Sequence, residues 1–289
     1  MARGEIGLKA VFTLTSAESR RLIAKGVAQK EEVLLAKEKG YIIIAGGTTN
    51  AYVSQELTGD KSIDPRRFTV GTNTGGLLCV TNPDDRDEKL PVILYKGEVV
   101  KKTIPEALQD FHKETVVIKG ANCIDPEGNV GVITAGFDGG TVAQTIGTVT
   151  STGLKYIIPV GLEKMIPSVK EAAKVTGSRT MDYSLGADFG IYCLTNTLPV
   201  TEIDALKILA DVKATQVAAG GIGGSEGSVV LVIEGPEENV QKAIELIESI
   251  KGEPAVKPLK GNCEKCRYFG CKFYGKKLAE LPPWLLQGE

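Results

Sequence analysis

The stretch YIIIAGGTTNAYVSQEL, residues 41–57, decides the architecture. A run as apolar as YIIIA has the signature of a strand buried on both faces, and such strands belong to parallel sheets covered by helices. Gly46 and Gly47 break the run, and TTNAYVSQEL continues as a helix. Glycines let a backbone pass close to a ligand, and the free amides and dipole of a helix start attract phosphate or carboxylate. Thr48 and Thr49 add hydroxyls and Asn50 adds an amide. The loop has neither the GK[ST] of a P-loop nor GxGxxG, so a plain strand-to-helix turn capped by Thr49 or Asn50 is the competing reading.

Upstream, SAESRRLIAKGVAQKEEVLLAKEKG opens on a Ser16 cap, carries apolar residues at helical spacing and ends at Gly40. Downstream, RFTVGT and GLLCVT read as strand pieces, PVILYKGEVV as a strand or hairpin, and TIPEALQDFHK as a helix with Pro105 in its first turn. TVVIKGAN and KYIIPVG are further buried strands, TVAQTIGTVTSTG a helix of small residues, and PSVKEAAKVTG a helix begun by proline. Strands alternating with helices predict an α/β domain with a mostly parallel, Rossmann-like sheet. Its ligand site lies at the carboxyl ends of the strands, here AGGTTN, KGANCID and PVGLEK. After about Leu185 the pattern changes. FGIYCLTN, TEIDALKILADV, ATQVAAGGIG, GSVVLVIEG, PEENVQKAIELIESIKG and EPAVKP follow the βαββαβ order of a ferredoxin-like unit. The predicted division is an α/β anion-binding domain over 1–187, a ferredoxin-like α+β domain over 188–257, and a Cys-containing tail over 258–289.

The chain has 289 residues, 42% hydrophobic and 24% charged, the balance of a globular protein. With 34 Lys and Arg against 36 Asp and Glu, the electrostatic footprint of a nucleic-acid or membrane-surface binder is missing, and neither partner is expected. No apolar run reaches the ~18 residues of a membrane span. MARGEIGLKAVFTLTSAESRR lacks the apolar centre of a signal peptide, which predicts a cytoplasmic protein. In a reducing compartment clustered cysteines argue for metal over disulfide. Cys263 and Cys266 have C-x2-C spacing, and Cys271 follows. Three thiolates leave closed tetrahedral zinc one ligand short, which Cys193, another chain or water would supply. An iron–sulfur cluster with an open position is the alternative, and redox-active thiols are a third. Cys79, Cys123 and Cys193, isolated in apolar surroundings, read as buried small hydrophobes. The only histidine, His112, falls at a helix end, where its charge is favourable, so histidine base chemistry is not expected.

Lys119-Gly120-Ala121-Asn122, then Ile124-Asp125-Pro126, then Asp138-Gly139-Gly140-Thr141 give a buried strand with a polar end, an Asp-Pro loop and a glycine run before a helix. This order resembles the core of the ribose-5-phosphate isomerase A and CoA-transferase-like superfamily. The resemblance covers roughly Ser16 to Pro258 in element order. It implies that AGGTTN falls on the phosphate loop and that Glu163-Lys164 falls on an acidic-Ser-Lys strand end. It also implies a lid over the mouth. The carboxylates of that family are replaced: Lys119 and Asn122 stand for two aspartates, and Gln144 or Thr145 for the glutamate base. A standard ribose-5-phosphate isomerase is therefore not expected. What remains is an anion-binding mouth of Gly46, Gly47, Thr48, Thr49, Asn50, Gly139, Gly140, Thr141 and Lys164, with Lys119, Asn122 and Asp138 facing the reacting part. A lysine closing a run as apolar as TVVI would be partly buried and would need an anion. Asp125, with Pro126 and Gly128, can be explained by turn formation alone. The expected ligand is a small phosphorylated or carboxylated metabolite, or a CoA or nucleotide derivative. Isomerisation or acyl/CoA-type transfer is the expected chemistry if there is any. The alternative is a non-catalytic, ligand-binding or metal-responsive regulator of the same fold. Self-association through the lid sheet is an expectation by analogy.

Overall fold

A computed structural model describes residues 7–110, 112–257 and 259–286. Phe111 in the predicted helix, Pro258 at the start of the predicted tail, and residues 287–289 lie outside that range. The chain begins with β1 (Leu8–Leu14), α1 (Ser16–Ala28) and α2 (Glu31–Lys39), then β2 (Tyr41–Ile44) and α3 (Thr48–Thr58). A hairpin of β3 (Gly71–Thr74) and β4 (Leu77–Val80) precedes β5 (Val92–Tyr95), β6 (Glu98–Val99) and α4 (Ile104–Gln109). Next come β7 (Val116–Ile118), β8 (Cys123–Ile124), β9 (Val130–Thr134), α5 (Gly140–Thr152), β10 (Lys155–Pro159) and α6 (Val169–Lys174). The last part holds β11 (Gly190–Leu194), β12 (Leu198–Val200), α7 (Glu202–Ala210), β13 (Lys213–Ala219), β14 (Val229–Gly235), α8 (Glu237–Ile250) and α9 (Pro283–Leu286). Among the described residues no helix is long and apolar enough to cross a membrane.

The central sheet has the order β12-β10-β7-β2-β5-β6. The first four strands are mutually parallel, while β5 and β6 add antiparallel on the other side of β2, so the sheet is mixed. YIII is buried at every position, as its composition predicts. Alternation along the strands sorts side chains between two cores. Ile42, Ile44, Val116, Ile118 and Ile157 meet α1, α2 and α3. Tyr41, Ile43, Val117, Tyr156 and Ile158 meet α4 and α5.

A second, three-stranded antiparallel sheet has the order β1-β14-β13 and packs on α1, α7 and α8. Two sequence expectations differ here. The strand expected in FGIYCLTN forms as β11 but pairs with β9 in a separate sheet, and the described part of EPAVKP, Glu253 to Lys257, is not a strand. The place of an edge strand is taken instead by β1, residue for residue along β14 from Leu8↔Gly235 to Leu14↔Val229. Its alternation, KAVFTL, is half polar and too short to stand out beside the long helix that follows.

The helix α1 is common to both sheets. Ile23 and Val27 enter the core of the six-stranded sheet, and Leu22 enters that of the three-stranded one. Gly26 lets α1 lie against α7, since a Cβ there would sit 2.6 Å from Ala205 Cβ. Arg21 donates to Glu56 Oε1 at 3.0 Å and to both Glu253 oxygens at 2.9 and 3.1 Å, and its guanidinium covers the Tyr52 ring at 4.4 Å. Buried Glu18 closes a capping box with Thr15 and accepts from Gly252 N at 2.9 Å.

Candidate functional site

The parallel strands β2, β7, β10 and β12 lie side by side, so the residues just after them share one edge of the sheet, the edge where open α/β sheets bind ligands. After β2 the chain turns through Gly46 and Gly47. Gly47 takes φ 153°, ψ 148°, a conformation open essentially to glycine alone, and starts α3 directly. Asn50 in the first turn donates to Ala45 O at 2.7 Å and to Ile118 O at 3.4 Å, stapling the ends of β2 and β7 together. Its Oδ1 is buried with no partner among the described residues. Thr48 Oγ1 lies 3.1 Å from Thr69 Oγ1, and Thr49 is buried. The loop is thus braced from beneath, as a helix start that approaches a ligand must be.

Lys119 follows β7. Its ammonium donates to Gly46 O and Gly120 O, each at 3.4 Å, bridging to the glycine turn. Lys164, in a single 3-10 turn after β10, donates to Ala121 O at 2.9 Å. Both lysines are largely covered, and among the described residues neither forms an ion pair; the neighbouring Glu163 is taken by Arg20 at 3.3 Å. Burial, and then the Lys164 charge, push the Lys119 ammonium down to about 8. Burial and then Arg20 push Lys164 down as well. Glu163 and Glu202 pull Lys164 the other way, whereas the carbonyl oxygens around Lys119 accept its protons without balancing its charge.

Two carboxylates complete the edge. Glu163 accepts from the Ser16 hydroxyl as well as from Arg20, both in the first turns of α1. Glu202 is the first residue of α7, after the Thr201 cap that ends β12. It is fully buried; Oε2 accepts from Leu162 N at 2.9 Å, while Oε1 and the Ser19 hydroxyl, close enough to act on each other, are buried without a well-formed hydrogen bond among the described residues. Burial raises its carboxyl above the usual range, against the pull of the Leu162 amide. Gly161 makes the approach feasible, since a Cβ there would lie 3.3 Å from Glu202 Oε1. The glycine-rich hairpin between β13 and β14 reaches this corner. Ser16 Oγ donates to Gly227 O at 3.3 Å, while the Glu226 carboxylate turns back to accept from Gly224 N.

The remaining expected site residues stand elsewhere. Asn122 is exposed, and its Oδ1 accepts from Ile133 N at 2.9 Å, holding β9. Asp138 is exposed and accepts from Gly140 N at 3.0 Å in the turn before α5. Gly139 and Gly140 form that turn with φ of 69° and 61°. Among the described residues, no hydrogen bond connects Asp138, Gly139, Gly140 or Thr141 with either lysine. Asp125 is buried and accepts from the Glu127, Asn129 and Val169 amides, a turn-building role. His112 packs its ring against Tyr41 and Tyr95.

In the tail, Cys263 and Cys266 share a turn in which Cys266 N donates to Cys263 O at 3.2 Å. Among the described residues no group of three or more His, Cys, Asp or Glu side chains is placed to hold a single metal ion. Cys193 lies on β11 opposite Gly131, whose neighbour across β8 is Cys123, and it is absent from the cavity that the tail thiols line. The thiol that joins them there is Cys79 of β4. Sequence reasoning missed Cys79 and Glu202. Cys79 carries no local signal. Glu202 does carry one, as the first carboxylate after a short strand whose end faces the ligand edge.

No protein-family model, curated protein or solved structure matches this chain.

Proposed function

We propose that the carboxyl ends of β2, β7, β10 and β12 bind the phosphate or carboxylate group of a small metabolite, or of a CoA or nucleotide derivative. The observation that carries this reading is Lys119, an ammonium largely removed from water beside a second lysine, with carbonyl oxygens as its only partners among the described residues. A buried charge calls for a counter-charge, and the glycine turn with the α3 amides adds donors suited to the same anion. The parallel run of four strands supports an isomerase/CoA-transferase-like, Rossmann-like sheet. The strands β1, β13 and β14 with α7 and α8 support a ferredoxin-like companion built with a strand from the far end of the chain.

Binding without turnover is the reading favoured over catalysis. Asn122 and Asp138, expected to face the reacting part, spend their side chains on the Ile133 and Gly140 amides. If the protein does act on its ligand by isomerisation or acyl transfer, Glu202 is the group with a carboxyl held toward protonation near the lysines. Thermal-shift and calorimetric screens with inorganic phosphate, sugar phosphates, carboxylic acids, CoA and nucleotides test the proposal. One class should raise the melting temperature, with an affinity that weakens in salt. Lys119→Met should weaken that affinity roughly tenfold or more, the loss of one charged hydrogen bond. No response to any class, or a response that Lys119→Met leaves intact, would sink it.

A further inference from the structure

The tail thiols meet a strand that lies far away in sequence. Gly261 N donates to Val80 O at 2.8 Å and Asn262 N to Asn82 Oδ1 at 3.1 Å, which lays the tail along the end of β4. Opposite, Cys271 bridges to Ser184, and Lys272 N donates to Ser184 O at 3.0 Å. Between these seams Cys79, Cys263, Cys266 and Cys271 line one cavity of about 140 Å³. That is roughly ten times the ~15 Å³ that admits one water. Two of the sulfurs accept backbone N–H groups from two residues further on, Tyr268 N to Cys266 Sγ at 3.5 Å and Phe273 N to Cys271 Sγ at 3.3 Å. Donors placed in this way orient the two sulfurs. Arg86, Lys265 and Arg267 line the same cavity, and among the described residues none of the three forms an ion pair. Arg86 spends its hydrogen bonds on Thr81.

These walls do not suit a single ion. Zinc–sulfur bonds of about 2.3 Å draw four thiolates together around the metal and leave no space between them. Here the four thiols line one cavity, and among the described residues no three are placed on one point. We propose that Cys79, Cys263, Cys266 and Cys271 hold one [4Fe–4S] cluster, each thiolate on one iron. Cys79 is then the fourth ligand that the C-x2-C-x4-C spacing lacks. Four thiolates outweigh the positive charge of the cluster core, so the assembled centre is an anion, and Arg86, Lys265 and Arg267 are its counter-charges. The cluster also supplies cohesion that the tail lacks, because among the described residues its buried apolar side chains are Phe273, Leu281 and Leu285, packed with Leu77 of β4.

Anaerobic reconstitution of the full chain with ferric iron, sulfide and a dithiol, which reduces half of the iron as it is oxidised to the disulfide, tests the assignment. About four irons and about four acid-labile sulfides per chain are expected, with a visible charge-transfer absorption that dithionite bleaches. Cys79→Ser should lose at least about one iron in four, while Cys193→Ser keeps the full content. If Cys79→Ser does not fold, alkylation mapped by mass spectrometry on the unsubstituted chain still decides. Cys79 should be shielded together with Cys263, Cys266 and Cys271 once iron and sulfide are loaded. Zinc bound without sulfide, full iron content in Cys79→Ser, or a Cys79 alkylated equally fast with and without the load would each overturn the proposal.

Discussion

Replacing Lys119 with Met should make the ligand-free protein more stable. The ammonium falls from its ordinary 10.5 to about 8 because it is buried beside Lys164. At about 1.4 kcal/mol per tenfold change, its charged form is about 3 kcal/mol less favourable in the folded chain than in the unfolded one. The sign follows from proton counting. Between about pH 8 and about pH 10.5 the unfolded chain holds the proton that the folded chain has released, so wild-type stability rises with pH across that window. Methionine fills a similar space and does not titrate. Near pH 7 the variant should therefore exceed wild type by up to about 3 kcal/mol, and the gap should close toward pH 10.5. Urea midpoints at fixed slope, measured for both proteins at several pH values, read this directly. Subtracting the two curves removes the contribution of every group common to both proteins. A variant no more stable than wild type near pH 7, or a gap that ignores pH, would refute the reasoning that Lys119 is an uncompensated charge. Saturating anion should narrow the gap by stabilising wild type alone.

Three further outcomes are expected. Gly26→Ala brings a methyl to 2.6 Å from Ala205 Cβ and 2.7 Å from its Cα; about 3 kcal/mol of overpacking, less about 1 kcal/mol of helix propensity, should leave a net loss of about 2 kcal/mol in urea unfolding, and an unchanged midpoint would contradict the close helix contact. Asp125→Ala leaves the Val169 and Asn129 amides without their acceptor and should cost about 2–4 kcal/mol by the same assay. Burial raises the Asp125 carboxyl, but hydrogen bonds from Asn129 and Val169 outweigh burial and hold it below 3.8, so the wild-type advantage should be full above that pH and fade as pH falls through the folded value. For Glu202 the sign is opposite. Its folded carboxyl is raised, so its contribution is complete below 4.5 and is lost as pH rises toward the folded value. Glu202→Gln keeps an acceptor for Leu162 N without the charge and should raise the midpoint near pH 7; a lower midpoint would mean that the carboxylate is stabilised there.

The parallel core was legible because its strands are apolar at nearly every position. YIIIA, TVVI and KYIIP have no other place than between two helical layers. The shared edge at the strand ends was legible for the same reason, since it is defined by where those runs stop. The positions of Lys119, Lys164 and the glycine turn beside it followed from that. The β11 strand was found and its partner was not, because a strand pattern specifies faces and leaves neighbours open. Asn122 and Asp138 sit beside strand ends in sequence, yet their side chains satisfy the nearest backbone amides, a local choice that spacing does not encode. Glu202 was absorbed into an amphipathic helix, where a first-turn carboxylate is ordinary. Cys79 met the tail only through the packing of a hairpin against a segment some 180 residues later, as the Asn262–Asn82 hydrogen bond measures.

The pairing of β1 with β14 has a consequence for how the protein is made. The strand that leaves the ribosome first finds its partner only after residue 235 has been synthesised. Until then α1 can settle on α3, but β1 has no ladder to join. In the finished sheet β14 is the centre, so removal of residues 8–14 would expose one whole edge of a buried apolar strand. A fragment cut at residue 188 would thus carry a sticky half-sheet rather than a domain. Residues 7–15 expressed as a separate peptide would be its natural complement.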